Sequence, residues 1–296
     1  MTSIMDDFEW WPKKMSHHLI PPSYFGISFV QKQEDKTLKD KVYLVAASSA
    51  GLGFGIAEAA AKQGVKVAMA SRTRAKIDAA AAKLQEEHRV DARGYVMDAT
   101  DAVSIADWIA AAYNDFGRID GLVVNAGGPP AGKFDKFSDD DWAAGFNLTL
   151  MSAVRMIRSV LPIMRSQGSG SILTITSSSI KEPIDILLLS NVFRSGVVSL
   201  VKSLSQDLAK EGIRINNLVP GQIDTDRIQS NDAFKAGQLG IPVEELQKNN
   251  HASIPMGRYG TIQEFGEAGA FLLSDAAKYI TGSTLFVDGG KSKTVW

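Results

Sequence analysis

The chain has 296 residues, enough for one large α/β domain or two small ones. Hydrophobic residues make up 45%, charged residues 22%, and the formal net charge is −1, so nothing in the overall field points to nucleic acid or an anionic membrane as partner. There is no cysteine, which excludes disulfides, thiolate metal sites and a cysteine nucleophile.

The first residues, MTSIMDDFEWWPKK, place acids where a secretory leader needs a basic segment and an apolar run. No stretch approaches the roughly 20 apolar residues of a spanning helix. The expectation is a cytoplasmic protein. Residues 1–38 hold Trp10, Trp11, His17, His18, Phe25 and Phe29 among prolines without a sustained period, and read as an extension. His17 and His18 are adjacent, so they point apart in regular structure, and no third ligand is suggested; no metal site is expected.

Residues 39–296 read as one domain. Short apolar or β-branched runs at 42–47, 65–70, 93–97, 119–124, 171–176, 213–219 and 284–288 read as strands. Amphipathic stretches between them, such as 74–88 and 101–116, read as helices, with an alanine-rich one at 56–63. Strands alternating with helices imply a doubly wound Rossmann-type α/β domain, its parallel sheet of about seven strands covered on both faces.

After the first strand comes AASSAGLGFG (46–55). Such small residues let backbone N–H groups approach a pyrophosphate at a helix N-terminus. Gly51, Gly53 and Gly55 do not spell G-x-G-x-x-G, because residue 56 is Ile, and a plain tight turn reads equally well from the loop alone. The second strand ends at Ser71, followed by Arg72 and Arg74, with no acid between. An arginine there suits a 2′-phosphate and favours NADP(H) over NAD; the bland alternative is a solvated helix start.

From about 40 to 291 the chain resembles the short-chain dehydrogenase/reductase superfamily, in the branch similar to 3-oxoacyl reductases. The family's glycine loop matches Ala46 to Gly53, with Ala47 at its first glycine. The match implies nucleotide contacts at Ala47, Ser48, Ser49, Gly51, Leu52 and Gly53. Ser71 and Arg72 fall at the ribose position. Asp98 and Ala99 match the adenine segment, and Asn125-Ala126-Gly127 match the motif after the fourth strand. Pro220, Gly221, Ile223 and Thr225 in PGQIDT match the nicotinamide segment. Asn147 and Ser177 fall at the helix asparagine and the catalytic serine. The family commonly pairs the helices equivalent to 147–166 and 190–211, so the resemblance implies a homo-oligomer, dimer or tetramer.

The resemblance breaks at the catalytic pair, where the family has tyrosine and, four residues on, lysine. Here they are Ser190 and Arg194, in a gap-free register with Ser177. A set of related proteins sharing NAGGPP and SN-x-x-R is similar, as an atypical branch. Ser190 is a far weaker acid than a phenol, and Arg194 does not release a proton at neutral pH. Both can still hydrogen-bond an oxyanion, and Arg194 can hold the nicotinamide ribose. Lys181 and Asp185 are candidate proton sources, or rim charges only.

Three functions stay open: a carbonyl reductase with a rebuilt proton relay, a reductase of conjugated C=C bonds, and a non-catalytic dinucleotide sensor or partner subunit. Residues 226–256 read as a substrate lid of two short helices hinged at Gly237, Gly240 and Pro242, with Phe234, Leu239 and Ile241 as an apolar wall. The substrate is a small molecule of unassigned identity. Trp108, Trp142 and Met151 read as packing residues.

Overall fold

The computed structural model describes residues 38–295; the expected extension and its His17–His18 pair lie outside them. In chain order the elements are β1 (Val42–Ala46), α1 (Gly51–Lys62), β2 (Lys66–Ser71), α2 (Arg74–His88), β3 (Ala92–Val96), α3 (Ala102–Phe116) and β4 (Gly121–Val124). Then follow α4 (Asp139–Phe146), a π-helical turn (Asn147–Met151), α5 (Ser152–Gln167), β5 (Gly170–Ile175), α6 (Leu188–Leu208) and β6 (Ile213–Pro220). Helices α7 (Asp226–Leu239), α8 (Val243–Ala252) and α9 (Ile262–Leu273) and strand β7 (Thr284–Val287) complete the order.

Seven strands form one sheet in the order β3-β2-β1-β4-β5-β6-β7, every pair parallel. β1 is buried along its whole length, as the near-continuous apolar runs require. One face packs on α3, α5 and α6 through Trp108, Ile109, Met156, Val160 and Val201. The other packs on α1, α2 and α9 through Ile56, Ile77, Leu84 and Phe265. Strand boundaries match the sequence expectation within two residues, whereas α1 starts at Gly51, five residues before the alanine-rich run. Its first turn is glycine-rich, and glycine is a poor helix former.

At the amino end of the sheet, buried Asp120 accepts from Lys41 Nζ at 3.0 Å, the Val42 amide at 3.0 Å and Arg118 Nη2 at 2.7 Å. Burial pushes its carboxyl up, but the hydrogen bonds win and hold it below the usual range. That cluster joins the start of β1 to the start of β4.

Backbone meets backbone where α1 crosses α9. A Cβ on Gly55 would lie 2.5 Å from the Ile262 carbonyl oxygen, and one on Gly266 would strike the Gly55 carbonyl. This contact fixes the tilt of α1, hence the aim of its N-terminus. Gly55→Ala is expected to lower unfolding stability by about 1–3 kcal/mol, read from urea midpoints. Gly237→Ala, on α7 with no atom near the added Cβ, should instead raise it by roughly 0.5–1 kcal/mol.

Candidate active site

The order 3-2-1-4 makes the carboxyl ends of β1 and β4 the point where the strand order reverses, the place where open α/β sheets bind ligands. The β1–α1 loop sits there. Ala47, at φ 48°, takes the left-handed conformation that glycine adopts at lower cost. Gly53 cannot carry a side chain, because its Cβ would lie 2.5 Å from the Ala47 carbonyl oxygen. Ala50 at the N-cap offers no side-chain acceptor, so the amides of Gly51, Leu52 and Gly53 are open to an anion. Ser48 is used internally: its Oγ donates to the Val45 carbonyl at 2.8 Å and accepts from the Ala70 amide at 3.2 Å. Asn125 Nδ2 donates to the Ala47 carbonyl at 3.3 Å and ties the β4 loop to the glycine loop.

At the end of β2, Ser71 Oγ is buried without a protein partner. Arg72 is exposed and close enough to Asp98 to help lower its carboxyl pKa, behind the amide and hydroxyl of Thr100. Arg74 is occupied elsewhere, donating to Asp78 at 3.3 Å and the Gly94 carbonyl at 3.1 Å. Ala99 is in the turn beside Asp98. Gly127 faces open space, with no atom within 4 Å of an added Cβ. On the far side, Gly221 abuts the Asp288 backbone, and the Thr225 methyl lies 3.9 Å from the Cβ position of Gly51. Pro220 ends β6 and Ile223 is buried, so 220–225 is a rigid wall opposite the loop. An orphaned Ser71 hydroxyl, uncapped amides and an arginine at the ribose position fit a phosphorylated dinucleotide.

Ser190 and Arg194 meet at the carboxyl end of β5, and Ser177 follows that strand two residues after Ile175. Arg194 Nε donates to Ser190 Oγ at 3.0 Å and its Nη1 to the Ile175 carbonyl at 3.0 Å. The i, i+4 spacing on α6 creates the first bond. Ser190 Oγ accepts from Arg194, and its own O–H has no acceptor among the described residues. Ser177 Oγ likewise accepts, from the Ser179 amide at 3.2 Å, and keeps its proton to donate. Arg194 shares a small pocket with Asn125, Gly127 and Thr149 and makes no ion pair with any acid among the described residues. Burial, and then the positive charge of Arg227, push it down to about 10, so it remains cationic at neutral pH.

Asn147 opens the π-helical turn, a distortion frequent at functional sites. Its amide is engaged at both ends: Nδ2 donates to the Thr100 carbonyl at 2.9 Å and Oδ1 accepts from Arg155 at 2.6 Å. Lys181 is exposed in the loop after β5. Asp185 pairs with Lys133 at 2.9 Å. Phe234 and Leu239 are 67% and 64% exposed, so they form no buried wall. Sequence reasoning missed Asn191, whose amide bonds both polar backbone groups of Ile184 and closes the loop onto α6. It also missed Arg227, on the first turn of α7. Nothing but its place after Thr225 marks either the residue or its role.

Residues 46–292 match the family described as enoyl-(acyl carrier protein) reductase. The chain is 32% identical over 258 residues to the 3-oxoacyl-[acyl-carrier-protein] reductase FabG of Escherichia coli, covering 84% of this chain and 96% of that one. It is 33% identical over 256 residues to dehydrogenase/reductase SDR family member 4 of Sus scrofa, covering 86% and 88%. L-sorbose reductase from Gluconobacter frateurii, complexed with NADPH and L-sorbose, superposes with TM-score 0.83 at 28% identity, over 88% of this chain and all of that one. An NADPH-bound short chain oxidoreductase from Pseudomonas aeruginosa PAO1 with an atypical catalytic center superposes with TM-score 0.77 at 27% identity, over 87% and 98%.

A partly buried guanidinium without a carboxylate is a cost to folding at neutral pH, because its lowered pKa means the folded state disfavours the charge. Arg194→Met is therefore expected to raise unfolding stability by about 1–3 kcal/mol, measured by urea denaturation at pH 7.

Proposed function

The chain belongs to the short-chain dehydrogenase/reductase superfamily, and on that premise we propose that it is an NADPH-dependent reductase of a carbonyl compound, with a guanidinium and two serines replacing the usual acid. The observation that carries this reading is the fixed Arg194–Ser190 pair beside Ser177 at the mouth of the dinucleotide cleft. NADP(H) is supported by Arg72, by the open first-turn amides of α1 and by the NADPH-bound relatives.

The bound dinucleotide would supply hydride. Gly51, Leu52 and Gly53 would hold its diphosphate, Arg72 its 2′-phosphate, and Ile223 and Thr225 its nicotinamide end. Ser177 and Ser190 donate their O–H bonds to the substrate oxygen. Arg194, donating to Ser190, polarises that hydroxyl and places a positive charge behind it, so negative charge developing on the oxygen is stabilised without proton transfer. Neither serine nor arginine is an effective acid at neutral pH. The proton arrives from solvent, with exposed Lys181 the remaining side-chain source once Asp185 is paired. Asn147 positions α4 and α5 on the Thr100 loop. The helix pair α5 and α6 is taken as the interface of a dimer or tetramer.

A second reading, reduction of a conjugated C=C bond, is favoured by the family description at 46–292 and by the weak local acid. Hydride addition there yields a delocalised enolate that needs charge stabilisation more than immediate protonation.

Turnover of NADPH with ketone and enone panels separates the two. Ser177→Ala should lower kcat about 100-fold or more with nucleotide affinity nearly unchanged, and Arg194→Ala should lower both kcat and affinity. No turnover in the wild type, with normal NADPH binding, would leave the sensor reading in place. Wild type should bind NADPH more tightly than NADH, and Arg72→Ala should bring the two dissociation constants together, as nucleotide titration reads. Equal affinities in wild type would contradict the assignment of Arg72.

A further inference from the structure

A second guanidinium stands at the same cleft and has no role in the chemistry above. Arg227, in the first turn of α7, reaches back over the β4 loop: a Cβ built on Gly128 would lie 2.9 Å from its Nη2 and 3.3 Å from its Nη1. Gly128 is the residue after the Asn125-Ala126-Gly127 segment, and Gly127 lines the pocket that holds Arg194. Arg227 is near enough for its charge to act on Arg194.

Neither arginine makes an ion pair among the described residues, and Arg227 makes no side-chain hydrogen bond there. The acids flanking it do not take it. Asp224 accepts from Gln229 at 3.0 Å, and Asp226 forms no ion pair with either guanidinium. Two cations are therefore held near each other at the mouth of a cleft, one on the rigid end of β5 and α6, the other on a lid helix.

Resting repulsion of this kind is relieved by an anion between the two, and planar guanidinium donors match carboxylate and phosphate oxygens best. The glycine is part of the arrangement, since any side chain at 128 would displace the Arg227 head group. The neighbourhood is rigid. Pro129 and Pro130 follow directly, and the Gly132 amide donates to the Ile186 carbonyl at 2.7 Å, pinning that loop to the segment before α6. On the lid side, buried Asp232 accepts from Tyr259 at 2.8 Å and Asn250 at 3.2 Å, locking α7 to α8 and to the loop before α9.

We infer that the substrate is itself an oxyanion: a carbonyl compound bearing a carboxylate, which Arg227 grips while Arg194 and the two serines face the reacting oxygen. This inference rests on the reductase reading for the carbonyl but not for the carboxylate, and its test does not require turnover. Arg227 is then a specificity residue, and the lid carries the group that detects the anion.

The test is isothermal titration of the protein saturated with NADP⁺, using 2-oxo and 3-oxo acids and their methyl esters. The acids are expected to bind and the esters to bind about 10- to 100-fold more weakly. Arg227→Met should erase the difference between acid and ester while leaving the NADPH dissociation constant unchanged, and Arg227→Lys should restore part of it. Circular dichroism of Arg227→Met should match wild type, since the side chain is exposed. Equal binding of acids and esters by wild type would overturn the inference. So would weakened NADPH binding in Arg227→Met, which would assign the site to the diphosphate of the cofactor. Failure of the reductase reading would show differently, as oxo acids that bind with Arg227 dependence but are never reduced.

Discussion

A guanidinium held in a partly buried site without an acid partner organises this cleft. Arg194 is anchored at two points, Ser190 Oγ and the Ile175 carbonyl, and its charge is disfavoured by burial. Proteins rarely keep such a group for stability, because desolvation of an unpaired charge is costly. On the proposed reading, its worth lies in what it does to a substrate oxygen beside it. A donor that need not move or lose a proton stabilises developing negative charge at little reorganisation cost.

The rest of the fold serves that placement. A sheet buried on both faces makes the strand ends rigid, and β5 delivers Ile175 and Ser177 to one edge of the cleft. α6 presents Ser190 and Arg194 on one face, and Asn191 clamps the preceding loop to it. Across the cleft, the contact between Gly55 on α1 and Gly266 on α9 aims the uncapped amides of α1 at the same space. Asn125 joins the two sides through the Ala47 carbonyl.

Most of the fold was legible because buried parallel strands leave near-continuous apolar runs, and the helices between them keep a helical period. The glycine loop could be read from its place between a strand and a helix, whereas the roles of Arg72, Ser190 and Arg194 come from the resemblance and stand as proposals. The start of α1 was not legible, because glycine at 51, 53 and 55 argues against helix while tertiary packing demands it. The amide of Asn147 is directed by Arg155 and Thr100, contacts 8 and 47 residues away that no local pattern announces. Arg227 was invisible for the same reason: its meaning comes from Gly128, about a hundred residues earlier in the chain.

The central claim is that Arg194 acts as a fixed charge and not as an acid. The pH dependence of single-turnover hydride transfer from NADPH tests it most directly. With the guanidinium pKa at about 10, the charge is complete below that value and is lost as pH rises through it. The account predicts a level rate from pH 6 to 9 and a decline above about 10. An ionisation between pH 6 and 9 that disappears in Arg194→Met would make the guanidinium a titrating acid and contradict the account.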